Sequence, residues 1–215
     1  MTAISDFVAD PIAFLRANVL QSFWTGSPVK PVRSLRFHQA ALQGTRLDDG
    51  ANIPAYQIIP ISDQGDLIRL RGDQGARNRD YLNAYFCPYG DNQTCAITVA
   101  SAADFMFTTN MDGCTFGIGS DTPTGARRVA HANVQGMGQG NRAVQLDNLA
   151  LEGTNDTIVN PDRYRDSRRA RGAAGISATT IGIRDTNTGK WRFVYQQWQA
   201  PFAGGNPVLF TVKRV

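Results

Sequence analysis

The clearest hairpin in the chain lies near its end. Residues 179–184 form an apolar, β-branched run, Asp185-Thr186-Asn187-Thr188-Gly189 has turn chemistry, and residues 191–198 return as an aromatic-rich run. Two strand-length runs joined by a short polar turn commit this region to antiparallel pairing, and shorter versions of the same pattern recur upstream. Runs near 55–61, 66–71, 81–87 and 94–100 read as strands, residues 144–151 alternate like another, and residues 207–213 form a final strand. Heptads, internal repeats and low-complexity tracts are absent. With 215 residues the chain can bury one substantial core, so a single domain over 1–215 is expected.

Helical signals are few. Asp10-Pro11 is a good N-cap and first-turn pair, Ile12, Leu15, Val19, Leu20 and Phe23 follow at helical spacing, and Gly26 stops the run. This spacing predicts an amphipathic helix over 11–24, followed by a linker over 27–34. Residues 101–104 resemble a helix start, and residues 72–80 a loop or one helical turn. The Gly-rich stretch from Gln135 to Asn141 reads as a flexible rim, and the polar, Arg-rich residues 152–174 as a long surface loop. Together these features predict a strand-rich globular domain with few helices.

No stretch approaches the roughly 18–20 apolar residues of a membrane span. The acidic start Met1-Thr2-Ala3-Ile4-Ser5-Asp6 lacks the basic region of a secretory signal, so synthesis in a cytosol is expected. The net charge of +4 is carried by nineteen Arg against three Lys, with seventeen Asp against the single Glu152. Genomic codon bias accounts for this. A second account is an effector acting in a eukaryotic cytosol, where few lysines leave few ubiquitin acceptors. So small a charge does not argue for nucleic acid.

The chemistry concentrates around Cys114. Gly113 permits the unusual backbone that a nucleophile at a strand start requires. Residues 120–125 are turn chemistry, and His131 lies on the return run. A hairpin symmetric about Thr122 and Pro123 places Cys114 directly opposite His131, within the reach a Cys–His nucleophilic pair needs. Thr115 and the backbone N–H groups of 113–115 are candidate oxyanion donors. The imidazole also needs an orienting group, for which Asn133, Asp112, Thr108 or a backbone carbonyl could serve. Cys87 and Cys95 flank a turn-like loop and could either bridge at the neck of a hairpin or remain reduced.

The segment Met111-Asp112-Gly113-Cys114-Thr115, with a His on the next strand, resembles the glutamine deamidase toxins. That group includes the catalytic domain of cytotoxic necrotizing factor and the Burkholderia lethal factor. The family motif reads Leu-Ser-Gly-Cys, of which Gly113-Cys114 is kept, and the lethal factor's Thr six positions before its Cys falls on Thr108. The resemblance covers about 25 residues. It implies an α+β fold with a mainly antiparallel β-sandwich core and peripheral helices, and on it a papain-like Cys–His mechanism, without a cofactor, acting on a host protein such as a Rho-type GTPase or a translation-initiation RNA helicase. It also implies a monomeric effector delivered to the host cytosol. A cysteine protease or transglutaminase could use the same pair, and a non-catalytic β-sandwich binding module would bury Cys114.

Two other features carry less. The basic stretch from Arg163 to Arg171 reads as a solvated loop, or else as a docking surface for an acidic target. With only His38 and His131, and no Cys-x2-Cys or His-Glu-x-x-His spacing, no metal site is expected.

Overall fold

A computed structural model describes residues 2–23, 31–40, 43–61, 81–134, 141–165, 175–199 and 205–215. The expected strand at 66–71, the loop at 72–80, the Gly-rich run 135–140 and the basic residues 166–171 lie outside these. Among the described residues the chain is β-rich with four short helices. One sheet has ten strands, ordered β1(Val19–Gln21), β5(Ala55–Pro60), β2(Val32–Gln39), β6(Leu82–Cys87), β8(Phe105–Thr108), β12(Ile176–Arg184), β13(Trp191–Gln199), β14(Val208–Arg214), β3(Gly44–Arg46) and β4(Asn52–Ile53). The other has four, ordered β11(Thr157–Val159), β9(Thr115–Asp121), β10(Arg127–Ala132) and β7(Thr94–Val99).

Strand periodicity decides which residues face which layer. On the large sheet Tyr85, Cys87, Met106, Ala178, Trp191, Phe193 and Tyr195 share one apolar cluster with Ile97, Phe116, Ile118 and Val129 of the small sheet. Their neighbours Ala84, Phe86, Phe107, Ile181, Ile183 and Val194 face the opposite way. There they meet Ile4, Phe7, Phe14 and Leu15 of helices α1(Ala3–Ala9) and α2(Pro11–Ala17). On the outer face of the small sheet, Ala130 and Ala132 pack against Leu149 of α3(Asn141–Leu151). A Cβ at Gly117 would strike the Thr154 carbonyl oxygen, so only glycine lets the turn after α3 lie on β9.

The N-terminal helix expected over 11–24 is a shorter helix, α2, followed by strand β1, and α1 precedes it. Thr2 and Ser5 form a capping box on α1, and Asp10 Oδ1 accepts from the backbone N–H of Ile12 and Ala13 at the start of α2. α2 stops at Ala17 because Asn18 is extended and the chain enters β1, parallel to β5. A buried glutamine from β13 holds that exit. Gln196 Nε2 donates to the carbonyls of Leu15 and Asn18 at 2.7 Å each, and its Oε1 accepts from Leu20 N at 2.7 Å.

Other expectations change as well. Residues 101–104 form a turn into β8, and β2 begins at Val32, inside the expected linker. Residues 144–151, which alternate like a strand, belong to helix α3, where Gln145 and Leu149 are buried at i, i+4 spacing. Five of its eight residues are Leu, Ala or Gln, all good helix formers. The expected surface loop at 152–174 contains β11 and a short helix, α4(Pro161–Arg165), with Tyr164 fully buried. No helix among the described residues is long and apolar enough to cross a membrane.

The α1–α2 layer rests on Phe7, which is fully buried and makes ring contacts with Phe14, Phe37, Phe105 and Phe107. Phe7→Ala should cost about 3–5 kcal/mol, the range for an aromatic truncated in a packed core. Denaturant unfolding would show it as a lowered midpoint with an unchanged slope.

Candidate active site

Cys114 precedes β9, where the small sheet emerges from the shared core. Gly113 has φ +95°, so the left-handed turn expected of a residue presenting Cys114 is present. Three side chains brace the turn. Tyr164 Oη accepts from Gly113 N at 2.8 Å and donates to the Cys114 carbonyl at 3.0 Å. Gln145 of α3 donates from Nε2 to Gly113 O at 3.2 Å and accepts from Thr115 Oγ1 at 2.5 Å. At the surface Arg165 Nη2 pairs with Asp112 Oδ1 at 2.6 Å, so this first part of the basic stretch holds the Cys114 turn in place.

The hairpin is offset from the symmetric expectation. Its turn spans 122–126, with Thr122 N bonded to Ala126 O, and it is followed by a bulge between Arg127 and Val129. His131 therefore pairs with Phe116 and, on its other side, with Cys95. Continuing that register by two residues brings Asn133 opposite Cys114, and the Cys114 thiol donates to Asn133 Oδ1 at 3.5 Å. A two-residue offset preserves side-chain parity. Cys114, His131 and Asn133 thus still share the inner face, with Cys114 and His131 as diagonal neighbours, a separation of roughly 7–8 Å.

Asn133, one of the candidates for orienting the imidazole, holds the thiol instead. Its Nδ2 donates to Tyr89 Oη at 2.9 Å and to Gly90 O at 3.4 Å, which aims Oδ1 at sulfur. Tyr89 in turn donates to Asp91 Oδ1 at 2.5 Å and stands edge-on to His131, with ring centroids 5.8 Å apart. Thr108 is not among the residues that line the cleft: it pairs with Cys87, and its Oγ1 accepts from Thr180 N at 3.0 Å. Cys87 and Cys95 are free thiols, with Cys87 Sγ donating to the Cys95 carbonyl at 3.6 Å.

Cys114 forms part of the wall of a cleft of about 360 Å³, together with Ser22, Tyr89, Asn110, Asn133, Ser177 and the indole of Trp198. The electrostatics are those of a buried, uncharged pair. Burial pushes the Cys114 thiol up to about 12, against a backbone N–H at Asp112 that pulls it down. Burial also pushes His131 down to about 4. The imidazole has no solvent exposure, and neither ring nitrogen has a hydrogen-bond partner among the described residues. An orphaned buried imidazole is costly and uncommon.

Sequence reasoning missed Tyr89, Tyr164, Gln145, Asn110 and Ser22. Tyr164 and Gln145 lie in segments read as loop and strand, so the helices that aim them inward were not visible. The chain matches no protein-family model, and no curated protein is significantly similar to it. Among the described residues no cluster of His, Cys, Asp or Glu could hold a metal.

Because the folded protein keeps His131 neutral, it refuses a proton that the unfolded chain takes up below its ordinary value of 6.5. Stability tied to the neutral ring is therefore full above pH 6.5 and lost as pH falls toward about 4. Urea unfolding measured between those limits should show this loss. His131→Phe should reduce the dependence by the equivalent of a single proton.

Proposed function

We propose that this protein is a cysteine-dependent amidohydrolase that converts a glutamine side chain of another protein to glutamate. One observation carries the reading: a thiol in the wall of a side-chain-sized cleft, with an unpartnered imidazole on the adjacent strand of the same face. Two sheets sharing one core, with the nucleophile where the small sheet emerges, are compatible with a papain-like sandwich, and the Gly113-Cys114 motif supports the likeness to the deamidase toxins. On this reading the protein is a bacterial effector and its substrate a host protein.

The chemistry follows from the two groups. Sγ swings from Asn133 Oδ1 toward His131, which takes its proton as the sulfur attacks the carboxamide carbon. The imidazolium then gives that proton to the departing nitrogen, so ammonia leaves and a thioester remains. Water, deprotonated by the same imidazole, adds to the thioester; C–S cleavage restores the thiol and releases glutamate. A protease would cleave the chain at the attacked carbonyl, and a transglutaminase would pass the acyl group to an amine, so the acyl acceptor separates these chemistries.

A second reading rests on the same numbers. Cys114 is only 4% exposed and its thiol lies near 12, which also describes an inert core residue in a binding module. Iodoacetamide labelling of the folded protein across pH 5–9, with the modified cysteine located by peptide mass, decides between them. Catalysis predicts labelling of Cys114 ahead of the buried Cys87 and Cys95, slowed in His131→Ala. Labelling of Cys114 only after denaturation would leave the binding module. Cys114→Ser should fold normally, since its hydroxyl can donate to Asn133 as the thiol does. It should lose at least about 10³-fold in glutamine-to-glutamate conversion of host proteins, read by mass.

A further inference from the structure

The donors expected to stabilise a developing oxyanion are already committed: Gly113 N–H to Tyr164, and Thr115 Oγ1 to Gln145. Elsewhere on the cleft wall two residues carry donors that have no partner among the described residues. Ser22 Oγ and Asn110 Nδ2 are both buried and unpaired. They belong to residues that clamp each other: Ser22 N donates to Asn110 Oδ1 at 2.7 Å, and Asn110 N donates to Ser22 O at 2.8 Å. Asn110 Oδ1 also lies 3.0 Å from Thr179 Oγ1. The amide therefore cannot flip, and its two N–H bonds have no acceptor.

The geometry points to Ser22 and Asn110 as the site that receives the carbonyl oxygen of the substrate amide. This rests on Cys114 as nucleophile. The pair presents one O–H and two N–H donors on a wall shared with sulfur, and the Asn110 acceptor is spent, so the matching ligand atom is an oxygen that gains negative charge. As the C–S bond forms, the carbonyl π pair moves onto that oxygen and the thiol proton goes to His131. When the pair returns, the C–N bond breaks and nitrogen leaves with the proton from His131. Donors held in a buried site stabilise this charge without reorganising. Beside them Phe23, 60% exposed and edge-on to Trp198, offers an apolar surface for the methylene stem of a glutamine.

The test compares two reagents on the full chain. Iodoacetamide carries a carboxamide oxygen that can enter the pair, whereas methyl methanethiosulfonate reacts with the same thiol and has no carbonyl. Ser22→Ala removes the hydroxyl. Asn110→Asp keeps the acceptor that holds Ser22 and removes both N–H donors; should it fail to fold, Ser22→Ala alone carries the test. The expected result is at least an about tenfold fall in Cys114 labelling by iodoacetamide with methyl methanethiosulfonate unchanged. Loss of one oxyanion donor costs a complete acyl transfer about 10²–10³-fold. Equal changes with both reagents, or none with either, would overturn the assignment while leaving Cys114 a nucleophile. Wild-type Cys114 inert to both reagents in the folded state would remove the nucleophile and this site together.

Discussion

The pairing of β9 with β10 is the constraint on which the site depends. Its five-residue turn and bulge decide which residue stands opposite Cys114, and its parity decides that Cys114, His131 and Asn133 point into the space between the sheets. Every electrostatic property of the site follows from that direction. Facing inward, His131 sits among Phe116, Cys95 and the Tyr89 ring, where no group among the described residues bonds its nitrogens and the ring has no solvent exposure. A charged imidazole is disfavoured there, as is a thiolate at Cys114, so the pair rests neutral.

Around this pair the fold spends polar side chains on holding backbone. Tyr164, Gln145 and the Arg165–Asp112 ion pair fix the turn at Gly113 and Cys114, while Gln196 ends α2 and starts β1 so that Ser22 arrives at the cleft. The braces come from α3, α4 and β13, far apart in sequence. Rigid support from several elements is what a nucleophile held at a strand start requires.

Much of the β architecture was legible in the chain. β5, β6, β7, β13 and β14 lie close to their alternating or apolar runs, because a half-buried strand shows a period of two and a strand buried on both faces a short apolar run bounded by turn residues. The short strands β1, β3, β4 and β11 were not legible: two or three residues carry no period, and they exist because a neighbour offers a free edge. Residues 144–151 show the opposite failure. Their local alternation is real, yet the α3 residues that face the small sheet are Gln145 and Leu149, spaced for a helix. For the site, Cys114 and its glycine were legible from residue type and position. The register was not, since a turn shifted by one residue and a bulge leave no clear mark in composition.

The sequence by itself determined a β-rich chain whose thiol follows a glycine and shares a face with a histidine, because strand parity is a local property of side-chain alternation. Tertiary structure decided the partner and the environment. Asn133 rather than His131 meets the sulfur because pairing register is set by turn geometry and by packing against the second sheet. The imidazole is neutral and unpartnered because strands distant in sequence close over it, and burial is a property of the whole packed core rather than of any segment.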